Sequence, residues 1–152
     1  MSSSFAEKLE LKVEQWYPAV VAIGVGGVAY FFIDLASIEG FRDLLQTAVN
    51  LSAITVGFLA TSKSILLTIE KKKVVAALKS DKQWPMLIDY MMCAIYSAFL
   101  LALVSGGLLL VKFKEPADWH HAATSVWVFC LVLALLTGIR IVRFFAWILK
   151  LD

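Results

Sequence analysis

Four long apolar runs, separated by short polar breaks, dominate the chain. The first, Trp16–Ile33 (WYPAVVAIGVGGVAYFFI), carries no charge before Asp34. The second, Leu44–Ile69 (LLQTAVNLSAITVGFLATSKSILLTI), is longer and more polar, with its charge-free stretch between Asp43 and Lys63. The third, Met86–Val111, follows a Trp84-Pro85 pair that suits a first helical turn, because proline loses no hydrogen bond there. The fourth, Ala122–Ile139, continues through Arg140 and Arg143. A bilayer core of about 30 Å is crossed by about 20 apolar helical residues. The pattern therefore predicts an all-α, polytopic membrane protein: one membrane domain, 1–152, with four transmembrane helices at 16–33, 44–69, 86–111 and 122–143, and a polar loop at 70–85.

Helical spacing does not stop at the membrane. In FAEKLELKVEQW, Phe5, Leu9, Val13 and Trp16 share a face, and Ile65, Leu66, Ile69, Val74, Val75 and Leu78 continue the second run past Lys63 toward a break at Ser80-Asp81. Both segments predict amphipathic cytoplasmic helical extensions that lie on lipid or on a neighbouring subunit. Composition agrees: 61% apolar residues and only 17% charged ones make lipid the main solvent. The N-terminal segment mixes acids with bases and has no small-residue cleavage site, so the first run is expected to stay as an uncleaved signal anchor. Cys93 and Cys130 each lie in an apolar run and read as small buried hydrophobes, not as a disulfide framework or metal site.

Charge orients the chain. Lys8 and Lys12 precede the first run, Lys71, Lys72, Lys73, Lys79 and Lys82 lie between the second and third, and Arg140, Arg143 and Lys150 follow the core of the fourth, which makes ten. Only Arg42, Lys112 and Lys114 fall on the other side. The positive-inside rule then puts both termini and the lysine-rich loop in the cytoplasm. The net formal charge of +2 is too small and too scattered for direct nucleic-acid binding.

With that orientation Lys63, nineteen residues after Leu44, lies roughly 28 Å further in, at the inner interface. Asp89, Arg140 and Arg143 fall at the same depth and make a candidate inner charge layer, in which Asp89 either pairs with Lys63 or Arg140 or each charge snorkels alone. Ala19, Ala22, Gly26 and Ala29 form a small-residue stripe for close helix packing on the first run. On the second, Gln46, Asn50, Gly57, Thr61 and Ser64 share one side, the candidate wall of a polar pathway or a face for interhelical hydrogen bonds. Lys71, Lys72, Lys73 and Lys79 are the candidate dock for lipid or a cytosolic partner.

Nothing in the chain has the spacing of an enzyme site, so no catalytic residue, cofactor or metal is expected. His120 and His121 are adjacent, not four apart on one helical face, and read as part of an interfacial loop. The glycines of GVGG at 24–27 lie inside an apolar run with no preceding strand, which excludes a phosphate loop. Four thin spans cannot enclose a wide aqueous path, so conduction requires a ring of copies.

The layout is a short first span, a polar second span entering a basic loop, a third ending in GGLLLV at 106–111, and a fourth entered from a short outer loop. It resembles the lambdoid Rex phage-exclusion membrane proteins and similar four-span bacterial defence proteins. That resemblance implies a membrane-depolarising effector working with a cytosolic sensor, and no functional residue is carried over from it. Two expectations result: a homo-oligomeric pore or channel subunit, or a non-conducting anchor or sensor that recruits a cytosolic protein through its basic loop.

Overall fold

The computed structural model describes residues 3–32, 40–68, 83–111 and 119–148, whose regular structure is entirely α-helical. The helices are α1 (Ser3–Phe32), α2 (Phe41–Thr68), α3 (Gln83–Leu110) and α4 (Trp119–Ile148). Local chemistry sets some of their boundaries. Gly40 takes φ +92°, a conformation that costs glycine little, and its carbonyl accepts the N–H of Leu44 at 3.1 Å to open α2. Trp84-Pro85 falls in the first turn of α3, where a missing N–H costs nothing.

Three helices are long and apolar enough to cross a membrane: Phe41–Leu66, Trp84–Leu110 and Trp119–Arg143. The fourth expected span is not of that class. The apolar part of α1, Trp16–Phe32, is shorter, and the helix reaches its full length only by running back through the charged residues to Ser3. Whether the extensions are amphipathic is not described: side chains before Trp16 and the whole of 69–82, including Lys71, Lys72, Lys73 and Lys79, lie outside the described residues. The histidines correct one expectation. His120 and His121 belong to the first turn of α4 and not to a loop; His120 is buried, with its ring 4.4 Å from that of Trp119.

Packing runs α1 on α4, α4 on α3 and α3 on α2, so the spatial order is α1–α4–α3–α2. The two ends of this row, α1 and α2, share no comparable contact. One core cluster draws on all four helices: Ala29, Phe41, Leu45, Ala48, Leu101, Trp127, Val128 and Cys130. The other, Leu59, Leu87, Met91, Ala94 and Ile141, draws among the described residues on α2, α3 and α4. The small-residue stripe of α1 faces α4, with Ala22, Gly26 and Ala29 buried and Ala19 half-buried. At Gly26 the fit is closest: a β-carbon there would come within 3.1 Å of Phe129 Cβ and 3.3 Å of the Ser125 carbonyl oxygen. Ser125 Oγ donates to the Gly26 carbonyl at 2.7 Å across the same contact.

The outward polar stripe of α2 and the cations around α3

The side of α2 that packs on the bundle is set by Leu45, Ala48, Ser52 and Leu59, all buried and spaced in steps of three, four and seven. Gln46, Asn50, Gly57, Thr61 and Ser64 recur in the same kind of step on the opposite side, and every one of them is exposed. Ala53 and Ala60 stand among them, also exposed, and a β-carbon at Gly57 would meet nothing within 4 Å. The stripe is thus not used for packing inside the chain.

Its polar groups differ in what they still need. Thr61 Oγ1 donates to the Gly57 carbonyl at 2.8 Å, and Ser64 Oγ to the Ala60 carbonyl at 3.0 Å. Thr47, Thr55 and Thr68 make the same bond one turn back. A hydroxyl satisfied this way keeps acceptor capacity but has no idle donor. Gln46 and Asn50 make no side-chain hydrogen bond among the described residues, so two amides, each with two donors, are left open on a membrane-length helix. In hydrocarbon such groups are costly until something pairs with them.

At the end of the bundle where α3 begins lie the four charges expected to share one depth. Lys63, half-buried, directs its Nζ to Met92 Sδ at 2.7 Å. Arg140, also half-buried, donates from Nη2 to the Tyr90 hydroxyl at 2.5 Å, with its guanidinium carbon 3.6 Å from the Tyr90 ring centroid. Asp89 and Arg143 are exposed, and among the described residues no ion pair joins any of the four. They lie toward the same end of the bundle, and α3 separates the two half-buried cations: Tyr90 and Met92, two positions apart on the helix, hold Arg140 on the α4 side and Lys63 on the α2 side.

Several contacts were not singled out from the sequence. Trp127 Nε1 donates to Ser105 Oγ at 2.9 Å, and Ser97 Oγ lies 2.7 Å from Thr137 Oγ1, both between α3 and α4. The available signal was faint: a lone serine or threonine at core spacing within an otherwise apolar run. Among the described residues, no group of three or more His, Cys, Asp and Glu is arranged to hold a metal. Comparison with known proteins gives no match to a family model, a curated protein or a solved structure.

Proposed function

We propose that this protein is a four-span subunit of a homo-oligomeric pore in a bacterial inner membrane, with both termini cytoplasmic, and that α2 is the helix shared by neighbouring copies and the water path between them. The observation that carries this reading is the outward stripe of α2. A polar side opposite the packing side, on a helix of membrane length, stays exposed within one copy. A ring of copies removes it from lipid and gives a path lined by Thr61 and Ser64, whose hydroxyl oxygens still accept from water. The α1 helix crosses as the fourth span beside α4, with bilayer thinning or flanking aromatics accommodating its shorter apolar part. The layout's resemblance to phage-exclusion proteins makes depolarisation in anti-phage defence the natural use of such a pore, with a cytosolic sensor meeting the lysine-rich loop.

The test is a mass measurement of the particle in mild detergent together with ion flux in proteoliposomes. A particle of several copies and measurable flux are expected, and replacing Thr61 and Ser64 together by leucine should abolish flux without changing the mass, since an apolar ring favours dewetting. A monomeric particle, or an oligomer with no flux under any imposed potential, overturns the pore and leaves the anchor.

A further inference from the structure

Resting on the homo-oligomeric reading, we infer that the partner of the α2 stripe is the free face of α1 on a second copy, with Gln46 and Asn50 seated against Gly27 and Gly24. The free face of α1 is defined by Val20, Gly24, Gly27 and Phe31, spaced in steps of four, three and four, all exposed and opposite the buried Pro18, Ala22, Gly26 and Ala29. A β-carbon at Gly24 or Gly27 would meet nothing within 4 Å, so neither glycine is needed for packing within the chain. Each leaves a shallow place where another helix can come close and reach backbone carbonyls.

The level of these glycines matches the open amides. Arg42 reaches the Leu109 carbonyl and Lys63 reaches Met92, so α2 and α3 run antiparallel with Gln46, one turn in from Arg42, beside Ser105. Ser105 is bonded by Trp127, which lies between the two residues, Ser125 and Phe129, that press on Gly26. Gln46 and Gly26 therefore share a level. Asn50 lies one turn, about 6 Å, further along α2, and the same step back along α1 leads to within about two residues of Gly24.

The chemistry already has a precedent inside the molecule. Where α4 meets α1, a small residue lets the helices close up and a polar side chain donates to the exposed carbonyl: Ser125 onto Gly26 at 2.7 Å. The α2 stripe brings the same parts to the other side of α1, with small Ala53 and Gly57 for closeness and the Asn50 amide as donor. Lipid offers the amides no such acceptor at that depth.

Because α1 and α2 are the two ends of the row α1–α4–α3–α2, this contact is heterologous and every copy has one face of each kind left to use. Repeated, it closes a ring. It also divides the stripe. Thr61 lies fifteen residues beyond Gln46, about 22 Å, whereas Trp16 lies ten residues beyond Gly26, about 15 Å. The apolar part of α1 ends before it reaches Thr61 and Ser64, which are left to the path.

The experiment uses the full chain with Cys93 and Cys130 replaced by alanine and a cysteine at both Asn50 and Gly24, oxidised in native membranes. Those two positions lie on opposite ends of one copy's row, so a disulfide between them joins two copies. A ladder of dimers and larger species is expected from Asn50→Cys with Gly24→Cys, and monomer from either change alone. A dimer from Asn50→Cys alone, with no ladder from the pair, means that α2 faces α2 and overturns this interface while the oligomer survives. A monomeric wild-type particle overturns the oligomer itself. As a second measurement, Gly24→Leu should lose the oligomer peak with helical content unchanged, because its side chain enters space that is open within the chain; an unchanged peak overturns the interface.

Discussion

At the end of the bundle where α2 and α4 begin, all four helices contribute to one core, and interhelical contacts with polar or aromatic geometry lock it. Phe41 meets Trp127 edge-on with centroids 5.7 Å apart, Trp127 bonds Ser105, and Ser125 bonds Gly26. At the end where α3 begins, the core among the described residues draws on α2, α3 and α4, and two cations rest there on neutral side chains of α3. The contrast has a physical cause. In lipid, apolar area gives little net attraction between helices, so close approach and interhelical hydrogen bonds decide which helices stay together. Gly26 supplies such a close approach at the first end. Leu135, Ile139 and Val142 of α4 stay exposed toward the second, where none of the described α1 side chains, Trp16 to Phe32, belongs to the core.

The largest effect should come from breaking the first end at its tightest point. Gly26→Leu places a side chain where even a β-carbon is 3.1 Å from Phe129 Cβ and 3.3 Å from a backbone oxygen, and neither neighbour is the end of a flexible chain. A loss of about 3 kcal/mol, the upper range for overpacking, is expected in detergent unfolding, with α1 detaching from α4. The detachment is measured as new labelling of a cysteine placed at buried Ala22. Stability within about 0.5 kcal/mol of wild type, a change that surface substitutions rarely exceed, would mean that α1 is not held by this contact.

A smaller pair of changes compares the two ends directly. Trp127→Phe keeps an aromatic ring against Phe41 but leaves the buried Ser105 hydroxyl without its donor, and should cost about 1 kcal/mol. Tyr90→Phe removes the hydroxyl under Arg140 but keeps the ring face, so the cation–π contact survives and the loss should be about 0.5 kcal/mol. Reversal of that order in thermal or denaturant unfolding would shift the firmer end to the cationic one.

Much of this was legible in the sequence, for reasons that differ from residue to residue. Helices α2, α3 and α4 could be placed because their apolar runs exceed what any soluble core helix needs, and the stripe of α2 because polar groups repeat on one side at helical spacing. The stripe's direction was not legible: a periodic polar face can turn toward its own bundle or away from it, and only the burial of Leu45, Ala48, Ser52 and Leu59 on the other side shows that it turns away. The partners of Lys63 and Arg140 were hidden for a related reason. Depth along a span follows from counting, but the side of α3 on which each cation lands depends on helix rotation, and that favours Met92 and Tyr90 over Asp89. Ser97, Ser105 and Thr137 escaped notice because a single small hydroxyl in an apolar run looks the same whether it bonds to its own turn or to a neighbouring helix.

The smallest expected effect tests whether the cationic end is a network or a set of separate contacts. Asp89 is exposed, and the groups nearest it in sequence hold Lys63 and Arg140 on either side of α3. Asp89→Asn should therefore change stability little. Combined with Arg140→Met or with Lys63→Met, it should add to their separate costs within about 0.5 kcal/mol, the usual limit for sites that share no partner. Arg140→Met alone should cost more than Lys63→Met, because it gives up both a hydrogen bond and a cation over a ring, whereas Lys63 gives up one bond to a weak thioether acceptor. The check is a pair of double-mutant cycles on the detergent-solubilised particle. A coupling energy above about 1 kcal/mol between Asp89 and either cation would show that the charges interact in the assembled protein.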